Sequence, residues 1–361
     1  MSDNTPADSA ASDGSIPNSD IVSLPGSHKD VQEGVTPLTE PEQLVQLNNF
    51  FEDNYPEVFR SLTTDEGAEY RDRGEAVPAA LVDETERMWA RLPDLLSHSS
   101  LLVLGAGLDH QMPHVASLRS GPETEVLDAE AALPEGISAT VLTPSHPNGA
   151  WAISCHGGPG WFGDGASHDQ FWLPLFAAIA EESGVTIVDL TYPLPGYGSW
   201  EATQEAVAEA FDAVRENAPE GASVGTVTFG SGFLATAGVR HPDFVVAMTP
   251  RITEDLQVDT GAAPVLVSLA ARDSRGTSEE QVREFFDRVG TGSASGSADS
   301  AVSYRTYESE HIIAAPTVWR HRVADVAQWL AERCCCKVGA VGRPAWNNQV
   351  HGHLLRSAVP S

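Results

Sequence analysis

Lysine is almost missing from this chain: Lys29 and Lys337 are the only two among 21 basic residues, against 51 acidic ones. The shortage of lysine itself reads as compositional bias. The formal charge of −30 does carry weight, because such a surface repels phosphate backbones and anionic headgroups, which sets nucleic acid and membrane surfaces aside as partners. No run of about 18 apolar residues occurs, so no inserted membrane helix is expected. The first residues also lack the basic-then-apolar order of a secretory signal, which makes a cytoplasmic location the expectation. Cysteine is scarce, with Cys155 in an apolar run and Cys334, Cys335 and Cys336 contiguous. Adjacent cysteines cannot readily bridge one another and no CxxC or Cys/His metal spacing is present, so neither disulfide, zinc nor other cofactor is expected.

What is present organises into four stretches. Residues 1–38 are rich in Ser, Asp, Pro, Asn and Gly, a composition that cannot offset its ordering entropy by burial. Residues 39–110 turn helical, with Leu44, Leu47 and Phe51 on one stripe and Leu81, Met88 and Leu92 on another. This N-terminal segment reads either as a lid over a site or as a plain helical layer. Residues 111–333 alternate strand-like and helix-like runs, the mark of a mostly parallel sheet covered on both faces. Strands are expected near 123–128, 137–143, 149–155, 185–190, 223–229, 244–249, 264–270 and 301–307. Helices are expected near 169–182, 201–217, 231–239, 278–289 and 316–333, with a Gly/Ser-rich link at 290–300. Residues 334–361 contain no acidic side chain and no sustained period, and read as an irregular tail.

The most informative segment follows the third strand, at Cys155-His156-Gly157-Gly158-Pro159-Gly160-Trp161. Glycines directly after a strand let the backbone bend so that free N–H groups face a cavity, which a developing oxyanion requires. This stretch resembles the His-Gly-Gly oxyanion motif of α/β hydrolases, in particular the hormone-sensitive-lipase-like carboxylesterases. Pro159 departs from the all-glycine spelling and is closer to that of the proline iminopeptidases. Downstream, Val185–Pro195 resembles the strand and Asp-Tyr-Arg-Leu-Ala-Pro turn that come next in that family. The resemblance covers about residues 120–332. It implies an α/β-hydrolase fold of about eight strands, and oxyanion donors at Gly157 and Gly158.

In that fold the nucleophile occupies a sharp strand-to-helix turn, usually Gly-x-Ser-x-Gly, with small residues two before and two after. The matching run here is Thr226-Val227-Thr228-Phe229-Gly230-Ser231-Gly232-Phe233. Two frames stand open. In one, Gly230 occupies the nucleophile column, between Thr228 and Gly232, and Ser231 supplies only an N–H. In the other, Ser231 is the nucleophile, Gly232 adds an oxyanion N–H, and Phe229 and Phe233 fall where bulk is least welcome. Asp273, at the end of an apolar strand, and His311, in the loop after the next one, resemble the remaining triad members. The order Ser231, Asp273, His311 is the superfamily's. The resemblance therefore implies acyl transfer on a small-molecule ester, with Ser231 attacking, His311 carrying the proton and Asp273 orienting it. The alternatives are a catalytically degenerate binding module and a prolyl-type aminopeptidase.

Overall fold

The structure, a computed structural model, describes residues 38–62, 66–104, 123–127, 133–158, 161–163, 165–196, 198–290 and 302–334. Both tails, most of the 290–300 link, and Pro159 and Gly160 of the glycine motif lie outside the described residues. Helices α1 (Glu40–Asn54), α2 (Pro56–Ser61), α3 (Ala68–Asp72), α4 (Ala79–Ala90) and α5 (Leu92–Leu104) come first. Strands β1 (Glu123–Leu127), β2 (Ser138–Thr143) and β3 (Trp151–Cys155) follow. A π-helical turn, His168–Trp172, runs into α6 (Leu173–Ser183), then β4 (Thr186–Thr191) and α7 (Glu201–Asn217). After β5 (Val224–Phe229) come the short α8 (Gly232–Ala235), β6 (Val245–Met248), β7 (Val265–Ala270), α9 (Glu279–Gly290), β8 (Val302–Tyr307) and α10 (Pro316–Cys334). Each expected strand is present within a residue or two.

One eight-stranded sheet forms in the order β1-β2-β4-β3-β5-β6-β7-β8. β2 runs antiparallel to both neighbours and every other pair is parallel. The central strands are buried along their whole length, as parallel strands covered on both faces must be. Alternation in β3 divides the core: Ala152 faces a layer that includes α6 and α10, while Trp151, Ile153 and Cys155 face α7. Val207, Ala210, Phe211 and Val214 of α7 cover that second face, and α9 covers its far end through Val282, Phe285 and Phe286.

The N-terminal helices join the α6 and α10 layer through Leu44, Leu47, Phe51 and Leu92. In α4 the inward stripe differs from the expected one: Trp89 and Glu86 are buried, whereas Leu81 and Met88 stay partly exposed. A polar residue took an inward position because it caps a loop, as described below.

Chain order reverses around β3, whose partners β4 and β5 lie on opposite sides. The crevice outside the carboxyl ends of β3 and β5 is thus the switch point, where open α/β sheets place ligands. Among the described residues no helix is long and apolar enough to cross a membrane.

Candidate active site

The loop after β3 meets the turn after β5 at that crevice. Gly158 has φ +95°, which L side chains rarely adopt. A Cβ on Gly157 would sit 3.1 Å from Trp172 and 3.2 Å from Phe229, so the glycine lets this loop lie against the aromatic wall. Among the described residues, nothing accepts a hydrogen bond from the amides of Gly157, Gly158 or Ser231. Three free N–H groups at the end of β3 and the start of α8 suit an oxygen carrying negative charge.

At the end of β5 the left-handed residue is Gly230, with φ +54°. Its N–H donates to the Met248 carbonyl at 2.9 Å and its carbonyl accepts from Arg251 N–H at 3.0 Å, which clamps the turn. Ser231 is already helical, at φ −69° and ψ −16°. Gly232 is pressed so closely onto β3 that a Cβ there would run into the carbonyls of Cys155 and His156. A Cβ on Gly230 would meet only Gly157 Cα, at an ordinary 3.6 Å. The strained residue and the crowded residue two places on therefore stand at 230 and 232.

Asp273 and His311 come together. Asp273 Oδ2 accepts from His311 Nδ1 at 3.0 Å, and its Oδ1 accepts the N–H groups of Arg275 at 3.0 Å and Gly276 at 2.8 Å. Burial opposes the charge on Asp273, yet the bond and charge of His311 and the two backbone donors outweigh it and hold the carboxyl below its ordinary range. His311 has φ +52°, uncommon for a residue with a side chain, in a turn closed by reciprocal backbone bonds between Glu310 and Ile313. Its Nε2 is left for other work. Trp89 of α4 packs edge-on to the imidazole at 6.4 Å between centroids.

Ser231 does not join this pair. Its hydroxyl is buried and has no hydrogen-bond partner among the described residues.

A second polar cluster, none of whose members was singled out from the sequence as a site residue, lies beside β3. Asp189, mid-strand in β4 and fully buried, accepts from Ser154 Oγ at 2.5 Å and from His168 Nε2 at 2.7 Å. His168 Nδ1 lies 3.0 Å from Asp169 Oδ1. Burial disfavours the imidazolium, but the charge of Asp189 and the bonds to both carboxylates push its pKa up to about 10. The adjacent His156 is driven the other way, down to about 4, by burial and by the His168 charge. The one available signal was a carboxylate inside an apolar strand, which cannot be buried without a partner.

Strand order, a left-handed turn after β5 and an Asp–His pair from the loops after β7 and β8 decide the architecture. The chain has the α/β-hydrolase fold. No family model and no curated protein sequence matches it. Similar solved structures include an esterase from the bacterial hormone-sensitive lipase family, 15% identical, with 77% of this chain and 98% of that one aligned at TM-score 0.49. An esterase of Pyrobaculum calidifontis is 16% identical over 69% of this chain and 94% of its own, with TM-score 0.45. The Francisella virulence factor BioJ is 11% identical over 69% and 93%, with TM-score 0.48. At such identities the likeness is one of fold alone. Among the described residues no group of three or more His, Cys, Asp or Glu side chains is placed to hold a metal ion.

Proposed function

We propose that this chain is an α/β-hydrolase-fold protein that lacks an acyl-enzyme nucleophile and serves as a ligand-binding module. The observation that carries this is the left-handed φ of +54° at Gly230. In this fold the elbow residue takes that strained conformation and presents the nucleophile. With Gly232 wedged onto β3, the motif frame runs Thr228-Phe229-Gly230-Ser231-Gly232, and its central place has no side chain. Ser231 then contributes an N–H, and the oxyanion donors are Gly157, Gly158 and Ser231 rather than Gly232. A fluorophosphonate probe tests the reading on the full chain. We expect no adduct, and a stoichiometric adduct on Ser231 that vanishes in Ser231→Ala would overturn it.

A second reading rests on the formed Asp273–His311 pair and the uncommitted hydroxyl of Ser231. On it, the chain hydrolyses a small-molecule ester. Ser231 attacks the carbonyl carbon, and His311 takes the hydroxyl proton and returns it to the leaving alcohol. Water deprotonated by His311 then cleaves the acyl-serine ester to release the acid, and Ser231 regains its proton. Asp273 holds the tautomer, and Gly157, Gly158 and Gly232 bind the oxyanion. The same probe decides between the readings. Turnover of short p-nitrophenyl esters against prolyl anilides would then separate esterase from aminopeptidase.

A further inference from the structure

A cavity of about 520 Å³ lies on the β4 side of the glycine loop, between that loop, the chain after β4 and helix α4. Gly230, Ser231, Asp273 and His311 are not among its lining residues. Its volume falls within the usual range for small-molecule sites. The wall is mainly apolar, with Trp161 and Phe162 from the loop, Val82 from α4 and Leu194 from the turn after β4.

The polar groups in the wall divide sharply by whether they are occupied. Glu86 accepts from Ser167 N–H at 2.7 Å and is pressed against Gly163. Both His168 nitrogens are held by carboxylates. Tyr192 donates its hydroxyl proton to the His156 carbonyl at 3.0 Å. Two groups remain. His156 gives its Nδ1 proton to the Gly157 carbonyl at 2.9 Å, which leaves Nε2, on a side chain only 7% exposed, as an acceptor without a partner among the described residues. Among the described residues Ser167 Oγ has no hydrogen bond either. The depressed pKa of His156 keeps that acceptor neutral at ordinary pH.

Charge narrows the ligand further. An anion would meet no Lys or Arg among the described lining residues of a strongly acidic protein, while a cation would find Glu86 already bonded to Ser167 and Asp169 and Asp189 already engaged by His168. Neither sign finds a free counter-charge in this mainly apolar wall, and burying an unpaired charge is costly. We infer that this cavity binds a neutral, mostly apolar molecule carrying a hydroxyl, which donates to His156 Nε2 and can accept from Ser167 Oγ. This deepens the binding-module reading by giving it a site and a ligand class, and it depends on that reading only for its biological meaning.

Calorimetric titration of the full chain with 1-naphthol and with 1-methoxynaphthalene, which has the same body but no donor, tests the inference. The expected result is one-to-one binding of the naphthol and binding of the ether weaker by about tenfold or more, since the buried acceptor would stay unpaired. Val82 and Leu194 are partly exposed, so Val82→Phe with Leu194→Phe should fill the cavity without unfolding the chain, as checked by thermal melting, and abolish the titration. His156→Phe should remove the preference for the naphthol over the ether. No naphthol binding at about 1 mM, equal binding of the two probes, or unchanged binding in the filled variant would each overturn the inference. Fluorophosphonate labelling reads Ser231 and not this cavity, so failure of the two proposals is told apart.

Discussion

On the proposed frame, replacing Gly230 by serine puts a hydroxyl where this fold carries its nucleophile. The site has room, because the new Cβ would lie 3.6 Å from Gly157 Cα with nothing closer. At φ +54° an L residue costs roughly 1–2 kcal/mol, and for a chain of this size that lowers the melting temperature by about 1–3 °C. On the proposed frame the other parts of an acyl-transfer site are in place: among the described residues Nε2 of His311 makes no hydrogen bond, Asp273 bonds the ring at 3.0 Å, and the amides of Gly157, Gly158 and Ser231 are unengaged. Loss of the serine from a complete triad costs on the order of 10⁶ in kcat. An introduced hydroxyl with unrefined geometry should recover part of this, on the order of 10²-fold over the wild-type rate. Release of p-nitrophenol from its acetate measures the gain, since a short acyl group suits a site walled by Trp89, Trp172 and Phe229. Fluorophosphonate should label the Gly230→Ser peptide, and adding His311→Ala should return hydrolysis to background. A folded Gly230→Ser variant that neither hydrolyses nor labels would refute the assignment of the elbow to position 230.

Gly232→Ala should be the more damaging change, although it adds a single methyl group. The methyl would collide with the carbonyls of Cys155 and His156, and overpacking against backbone costs typically 1–3 kcal/mol or more, read as a lower denaturation midpoint. The paired histidines predict opposite pH limbs. His168 holds its proton to about pH 10 against an ordinary 6.5, so its contribution is full below 6.5 and lost as pH rises through 10; His168→Gln should flatten that loss in urea titrations. His156 titrates near 4, below 6.5, so the unfolded chain binds the extra proton and stability falls as pH drops from 6.5 toward 4; His156→Phe should blunt that fall.

The strands were legible because each is an apolar or β-branched run bounded by turn residues, and Val265–Ala270 followed by Asp273 shows why their ends were legible too. A carboxylate cannot remain inside such a run, so it emerges at the sheet's carboxyl edge. The stripes of α7 and α10 could be read for the same reason, since period and burial coincide there. In α4 the period misled. Glu86 turned inward to accept the Ser167 N–H, 81 residues away in sequence, and Trp89 turned inward to meet Trp172 and His311. Neither partner lies within the local window in which a hydrophobic stripe is read.

From sequence alone came the order of the elements, the glycine bend after β3, and the two acidic and basic side chains at successive strand ends. These follow from hydrophobic period and from the cost of burying charge, which neighbouring residues suffice to express. Only the folded chain places the left-handed dihedral at Gly230 and not at Ser231. That choice depends on β3, β5 and β6 approaching so closely that Cys155 excludes a side chain at 232 and Met248 and Arg251 grip the backbone at 230. A strained dihedral is imposed by segments distant in sequence, and the local pattern Phe-Gly-Ser-Gly-Phe is compatible with either placement.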